Sequence, residues 1–324
     1  MKSLKRLFNR RRYQRCREMF VRPLATHLKT ALALRLPTTV EFRDGGRLRL
    51  PSAYRCRSMF AWLLERSDDP SPVRLVDGLV EFQYRGRRMA LRPTYADFFI
   101  FQEVVVCDDY GLANPPKPLG TVVDLGGNIG LFAMQAAPLA DRVISVEPMN
   151  ENLAMARRTL AAAGVADRVT LRKAAVAAES GKTLRIYFSQ QNDGGHSAFQ
   201  EQAARWGNRG TFEEATTINL VDLFEQEKID RCGLLKCDVE GSEYELIDAT
   251  PVELLARIDR IDMEVHPNVV DYDQRRFTAL CDKLRAAGFE ITHTPLRRRW
   301  GLRATGIILK AVNTAAANTV AQAA

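Results

Sequence analysis

The chain has 324 residues, 46% hydrophobic and 27% charged, an ordinary globular composition long enough to bury a sizeable core. No stretch approaches the roughly 20 apolar residues of a membrane helix, and no apolar run with a small-residue cleavage site follows the basic start, so a soluble, unsecreted protein in the cytoplasm is expected. The net charge of +8 is confined to residues 1–37, where eleven Lys/Arg face one acid; the remaining 287 residues sum to minus two, which argues against a nucleic-acid-binding body.

The opening stretch, MKSLKRLFNRRRYQRCREMF, puts Leu4, Leu7 and Phe8 on one side of a helix with arginines over much of the rest. Residues 1–37 read as a basic amphipathic helical segment, either packed on its own domain or resting peripherally on an anionic membrane at the inner face. Nucleic acid is not the expected partner, because no aromatic-rich basic platform follows. Residues 38–96 read as an α+β elaboration, a lid or substrate region. Val40 and Phe42 alternate, "DGG" turns the chain and Leu48 and Leu50 return, while "VDG" and "YRG" punctuate later strands. Between them, "AYRCRSMFAWLLERSDDP" reads as a helix stopped by Pro70. "DFFIFQEVVVCDDYG" reads as a helix leading into the main domain, taken as residues 97–312.

From Thr121 the pattern becomes alternating strands and helices, the mark of a mostly parallel sheet covered on both faces. The strand candidates are "TVVDL", "RVISVE", "RVTLRKAAV", "GLLKCDV" and "RIDMEV". A helix starting near Asn150 and stopping at Gly164 separates the second and third, and another with Phe277, Leu280, Leu284 and Ala287 inward follows the fifth. The last two candidates, "FEITHT" and "TGIILKAV", lie ten residues apart without a helix, so they form an antiparallel hairpin and bring the sheet to seven strands. Residues 182–218 read as a turn-rich insertion containing "NDGGHSAF", and residues 313–324 as a frayed tail. Six scattered cysteines without a CxxC pair argue against zinc ligation and a disulfide framework.

"VVDLGGNIG" (122–130) ends the first strand of this domain, where an open parallel sheet binds its ligand. Gly126 and Gly130 allow a sharp bend and close approach of a ligand. The strict G-x-G-x-x-G is absent, because Asn128 holds the middle of a G-x-N-x-G spacing. Asp124 favours S-adenosylmethionine over a dinucleotide: a pyrophosphate gains nothing from a carboxylate just before the turn, whereas a methionyl ammonium does. Glu147, seventeen residues after Gly130, can accept from both ribose hydroxyls, as it would in either cofactor class. The terminal hairpin and the lack of a Y-x-x-x-K pair favour the methyl donor. An NAD-dependent oxidoreductase or epimerase and a non-catalytic Rossmann-like binding protein stay as alternatives.

"VVDLGGNIG", "VISVEP", "GGHS", "LLKCDVEGSEYELI" and "IDMEVHP", in this order, resemble the FkbM family of S-adenosylmethionine-dependent methyltransferases, many of which methylate hydroxyl groups of sugars or polyketides. The resemblance covers roughly residues 85–292 and implies a class I methyltransferase-like Rossmann fold and O-methylation of a sugar, glycan or related natural product. In "RPTYADFF" the family often carries Thr-Ser-Asp, which Asp97 matches and Ala96 does not. The donor-binding set expected on this basis is Asp97, Asp124, Gly126, Gly127, Asn128, Gly130, Glu147, Pro148, Asn152, Ala175 and Asp238.

The fourth strand delivers Asp238 and Glu240 and the fifth Glu264 and His266, each pair two residues apart and on one face while extended. In the usual methyltransferase order these strands are neighbours. The four side chains then serve in one of two ways: His266 takes a proton from an attacking hydroxyl, or the acids and His266 hold a divalent cation. His196, beside two glycines, is the alternative base. Glu243 reads as an acid at a helix start, and Lys236, in a buried-looking strand, as half of a structural ion pair.

Overall fold

The computed structural model describes residues 10–22, 25, 38–50, 60, 63–64, 73–113, 115, 118–187, 211–266, 274–295 and 307–314. They fall in two compact units, one within Met1–Cys107 and one taking nearly everything from Asp108 onward.

In the first unit, α1 (Arg10–Met19) buries Cys16 and Met19. Phe20, just beyond it, meets Phe42 at 4.8 Å and Phe60 at 6.4 Å between ring centroids. The described part of the basic segment is thus packed on its own unit; Leu4, Leu7 and Phe8 lie outside the described residues. The strands β1 (Thr38–Glu41) and β2 (Arg47–Leu50) pair antiparallel, with Val40 opposite Leu48. A meander follows: β3 (Arg74–Val76), β4 (Leu79–Tyr84) and β5 (Arg87–Leu91). Its two turns, Asp77-Gly78 and Arg85-Gly86, have positive φ at both residues, the backbone that matches strand twist in a two-residue hairpin. Most of the helix expected at 53–70 lies outside the described residues. The helix expected to lead into the main domain begins as α2 (Tyr95–Ile100), capped by Thr94, whose hydroxyl accepts from the Asp97 amide. It then widens into a π-helical stretch, Phe101–Val106, closed by the Cys107 amide on the Gln102 carbonyl.

The second unit runs β6 (Thr121–Leu125), α3 (Leu131–Ala136), β7 (Arg142–Val146), α4 (Asn150–Ala162), β8 (Val169–Arg172), β9 (Ala175–Val176), β10 (Thr183–Tyr187), β11 (Phe212–Ile218), α5 (Leu220–Gln226), β12 (Leu234–Cys237), α6 (Glu243–Ala249), α7 (Val252–Leu255), β13 (Arg260–Val265), α8 (Gln274–Ala286), β14 (Phe289–Pro295) and β15 (Ile307–Asn313). Seven strands form one sheet in the order β14-β15-β13-β12-β6-β7-β8, parallel except for β15, which is antiparallel to both of its neighbours. This is the expected class I methyltransferase-like α/β architecture with its terminal hairpin. Moving outward from β6, the chain order runs one way through β7 and the other through β12, so the switch point lies at the carboxyl end of β6.

Strand alternation gives the sheet two different faces. Val123, Leu125, Ile144, Val146, Leu235, Cys237, Ile261, Met263 and Val265 join α5, α6 and α8 residues such as Phe224, Leu246 and Leu284 in the main core. On the other face the register sets Ser145, Asp124, Lys236 and Asp262 side by side across four strands. All four are buried. Apolar residues drive the sheet together from one side, and polar ones cluster towards its carboxyl ends on the other.

Three expectations change. The third candidate strand breaks after Arg172; β9 leaves the main sheet and pairs parallel with β11. The insertion is not all loop, because β10 and β11 pair antiparallel from Thr183 opposite Thr216 to Tyr187 opposite Phe212. Residue 313 belongs to β15 rather than to a tail: its buried Asn313 amide donates to the carbonyls of Ala256, Ile258 and Ala287, which holds the strand end down. Among the described residues no helix is long and apolar enough to cross a membrane.

Candidate active site

The turn after β6 is closed on itself. Gly126 and Gly127 N–H both donate to the Val146 carbonyl, Asn128 N–H to Glu147 Oε2 (2.8 Å), Ile129 N–H to Asn128 Oδ1 (2.7 Å) and Gly130 N–H to the Gly127 carbonyl. All five amides are therefore spent inside the chain, and none of them is left to cradle a pyrophosphate. This disfavours the dinucleotide alternative on physical grounds.

The glycines have a different reason from the one expected. A Cβ on Gly126 would lie 1.9 Å from the Asp238 carbonyl oxygen, one on Gly127 2.0 Å from Ser145 Oγ, and one on Gly130 3.0 Å from Ala156 Cβ. Close approach by the chain itself, together with φ of +77° at both Gly126 and Gly130, forbids side chains there. Asn128 is held in the same left-handed region at φ +47°.

Glu147, just past the end of β7, is 4% exposed, and burial raises its pKa. Its Oε1 accepts the Met149 amide and the Asn152 side chain, and its Oε2 the Asn128 amide. Among the described residues Oε1 accepts two hydrogen bonds and Oε2 one, so Oε2 is the oxygen with more room for a ligand hydroxyl. Asn152 reaches the site by holding Glu147, and half-buried Pro148 follows directly in the chain.

Asp124 is fully buried, accepts Ser145 Oγ at 2.8 Å and lies 3.4 Å from Lys236 Nζ, so an ammonium of the chain itself stands beside the carboxylate expected to receive a methionyl ammonium. Lys236 Nζ also donates to the carbonyls of Gly126 (2.6 Å) and Leu125 (3.2 Å) and lies 3.7 Å from Asp238 Oδ2. Burial alone would lower its pKa, but the carboxylates of Asp124 and Asp238 outweigh burial and raise it.

Beyond Lys236, the neighbouring ends of β12 and β13 bring four carboxylates onto one imidazole. His266, 7% exposed, places Nδ1 2.9 Å from Glu243 Oε1. Its Nε2 lies 3.4 Å from Glu264 Oε1, 3.8 Å from Glu240 Oε2 and 3.9 Å from Asp238 Oδ1. Glu243 also accepts the amides of Val239 and Gly241, so it fixes the loop that carries Glu240 as well as the ring. Glu240 itself is held at φ +53°, a strained conformation for a residue with a side chain.

The electrostatics follow from this crowding. Burial would depress the imidazole's pKa, but Glu240 and Glu243 raise it well above its usual value. Burial is likewise opposed at Glu243, where His266 prevails and the pKa is lowered. Asp238 and Glu240 keep 28% and 21% of their side-chain surface open. Burial among like charges nevertheless pushes them up to about 6 and about 8. With Nδ1–H given to Glu243, Nε2 points into an acidic pocket that stabilises a proton or a cation. Donor atoms of Asp238, Glu264 and His266 lie within 4.8 Å of one another, a spacing a metal ion can use.

The structure thus gathers Asp238, Glu240, Glu264 and His266 as expected and adds Glu243 to them. Glu243 was read as a helix-start acid, and only the fold reveals that it orients the ring; the signal available was its spacing from Glu240 along the same block. Asp97 and Ala175 have surroundings of their own. Asp97 lies in the first unit, fully buried, its carboxylate bound by Arg92 through Nε and Nη2 and by Thr94 Oγ1. Ala175 sits in β9, 2% exposed, in a small core with Met149, Ile186 and Ala215, because that strand has left the main sheet. His196 lies outside the described residues.

Known proteins are similar to this chain. An alignment of 244 positions, covering 64% of the chain, is 27% identical to the AMB antimetabolite synthetase AmbE of Pseudomonas aeruginosa, and it spans 11% of that protein's length. Among solved structures, the methyltransferase FkbM of Methylobacillus flagellatus KT superposes with a TM-score of 0.40 at 15% identity, over 61% of this chain and 45% of that one. M. jannaschii TYW2, solved in complex with AdoMet, gives a TM-score of 0.40 at 10% identity over 74% and 88%. The family model described as the methyltransferase FkbM domain matches residues 124–291, more than half of the chain, from the buried Asp124 to beyond His266. The protein belongs to the FkbM methyltransferase domain family.

Proposed function

We propose that this methyltransferase uses S-adenosylmethionine and acts on a hydroxyl oxygen of a sugar, glycan or related natural product. The observation that carries the reading is the His266 imidazole, aimed by Glu243 into a carboxylate cluster beside a turn whose own amides are satisfied. When bound, the cofactor supplies a methyl group on a positively charged sulfur, which an acceptor oxygen displaces in line.

The chain's residues suit such a donor. The turn offers no pyrophosphate cradle, which a cofactor without one does not need, and Glu147 Oε2 keeps room for a ligand hydroxyl at the end of β7. In its neutral form His266 takes the proton of the acceptor hydroxyl at Nε2, and the surrounding carboxylates stabilise the imidazolium that results. Asp238, Glu240 and Glu264 are placed to accept from a second hydroxyl of a polyol and so to hold the acceptor at near-attack distance, roughly 3 to 3.5 Å. The natural-product side of the reading draws on the relative named as an antimetabolite synthetase.

A divalent cation is the other use of the same cluster, an alternative to proton transfer at His266, because with Nδ1 held by Glu243 the one remaining nitrogen, Nε2, can bind an ion or take a proton but not both. Four carboxylates face one imidazole, so the cluster carries excess negative charge, and its oxygen-rich donor set suits a hard ion such as Mg²⁺ or Mn²⁺. Asp238, Glu264 and His266 would hold the ion, with Glu240 adjacent, and it would lower the pKa of a coordinated hydroxyl.

Calorimetric titration of the wild type and Glu147→Ala with S-adenosylhomocysteine tests the donor. Binding that weakens in the variant is expected, and no binding to the wild type sinks the reading. Transfer of a labelled methyl to a panel of polyols, with and without chelator, then tests acceptor and cation separately.

A further inference from the structure

We infer that Lys236 is a positioning residue, which ties the turn after β6 to the end of β12 so that the donor turn and the carboxylate of Asp238 keep one register. The inference rests on the methyltransferase reading for its consequence but not for its geometry.

An ammonium has three donors, and here each is aimed. One reaches the Gly126 carbonyl at 2.6 Å and one the Leu125 carbonyl at 3.2 Å, the two peptide groups that lead out of β6 into the turn. The third faces Asp124 Oδ1 at 3.4 Å, with Asp238 Oδ2 at 3.7 Å on the far side. Among the described residues no donor comes closer to Asp124 Oδ1 within hydrogen-bond geometry, so Lys236 is the charge that balances it. Asp124 therefore serves to hold the lysine.

The backbone repeats the same joint. A Cβ at Gly126 would meet the Asp238 carbonyl at 1.9 Å, so the turn lies directly against the strand end that delivers Asp238. Lys236 spans this contact from beneath. A buried ammonium between two acids is weak evidence for stability, since an apolar set of the same volume often does as well. What an apolar side chain cannot do is fix two carbonyls and a catalytic-cluster carboxylate at once.

The test uses the full chain with Lys236→Met, which keeps length and loses the charge, and Lys236→Arg, which keeps the charge but spreads its donors over a planar fork. Hydrogen exchange is read in segments 122–131 and 237–243, with α8 as the internal reference, and S-adenosylhomocysteine affinity is measured beside it. The expected result for Lys236→Met is exchange about tenfold faster in both segments with α8 unchanged. Affinity should fall about tenfold, with smaller effects of the same pattern in Lys236→Arg. Wild-type exchange in both segments of Lys236→Met overturns the inference. If that variant does not fold, Lys236→Arg decides alone: loosening of the two segments supports positioning, and wild-type exchange and affinity reduce Lys236 to a charge balance. A wild type that fails to bind S-adenosylhomocysteine would sink the donor reading, while the exchange data would still judge Lys236.

Discussion

His266 Nδ1 and Glu243 Oε1 stand 2.9 Å apart in a buried contact, and the same carboxylate accepts the amides of Val239 and Gly241. One side chain thus sets the direction of the imidazole and the shape of the strained loop at Glu240. Glu243→Gln should lower turnover about 10- to 100-fold, the usual cost of losing a carboxylate that orients a histidine. S-adenosylhomocysteine affinity should stay within about twofold. Steady-state kinetics and calorimetry check this, and an equal loss in both would assign Glu243 to loop folding rather than to the ring.

Replacing the ring itself should cost more. His266→Ala is expected to reduce methyl transfer by about two to four orders of magnitude while leaving donor binding intact. Near-wild-type turnover in this variant would remove His266 as the proton acceptor.

Stability should depend on pH in a direction fixed by the shifts. Asp238 and Glu240 are raised to about 6 and about 8, and His266 is raised well above its usual value, so all three hold protons more tightly in the folded state. Their contribution is full below the unfolded pKa values and is lost as pH rises through the folded ones. Glu243 is lowered and acts oppositely, its contribution being lost as pH falls through the carboxylate range. Metal-free protein should therefore melt highest at about pH 5 to 6 and lower towards about pH 8.5, and added Mg²⁺ or Mn²⁺ should flatten the decline. Scanning fluorimetry reads both, and a midpoint that climbs steadily across this range without metal would contradict the assignment.

Gly127 gives a packing test. Its missing Cβ would strike Ser145 Oγ at 2.0 Å, whereas Ser145 Cβ is 3.4 Å away. Gly127→Ala should destabilise the protein by about 1 to 3 kcal/mol, as overpacking of a tight site does. Adding Ser145→Ala should recover part of that loss, although Asp124 then loses a hydrogen bond. Purely additive effects in chemical denaturation would mean that the turn moves away instead.

Much of the fold was legible because its signals are local. The alternation of strands and helices after Thr121, the glycine stop at Gly164 and the helix-free gap before the last strand each rest on neighbours in sequence. The break after Arg172 was not legible, because "RVTLRKAAV" has strand character throughout; pairing with β11, far along the chain, is what draws Ala175 and Val176 away. The site divides in the same manner. Spacing two residues apart predicted that Asp238, Glu240, Glu264 and His266 share one side, and strand neighbourhood brings them together. The roles of Asp124, Glu147 and Glu243 depend on what fills the space beside each carboxylate, namely Lys236, three hydrogen-bond donors and the His266 ring.

By itself, then, the sequence determined the order and kind of the elements and which acids end which strands, since propensity, turn chemistry and side-chain alternation act over a few residues. Only the tertiary structure decided which carboxylates are free to act and which are already spent on the chain. A charge is satisfied by whatever lies within about 4 Å of it, and in a sheet of crossing connections that partner comes from a distant part of the chain.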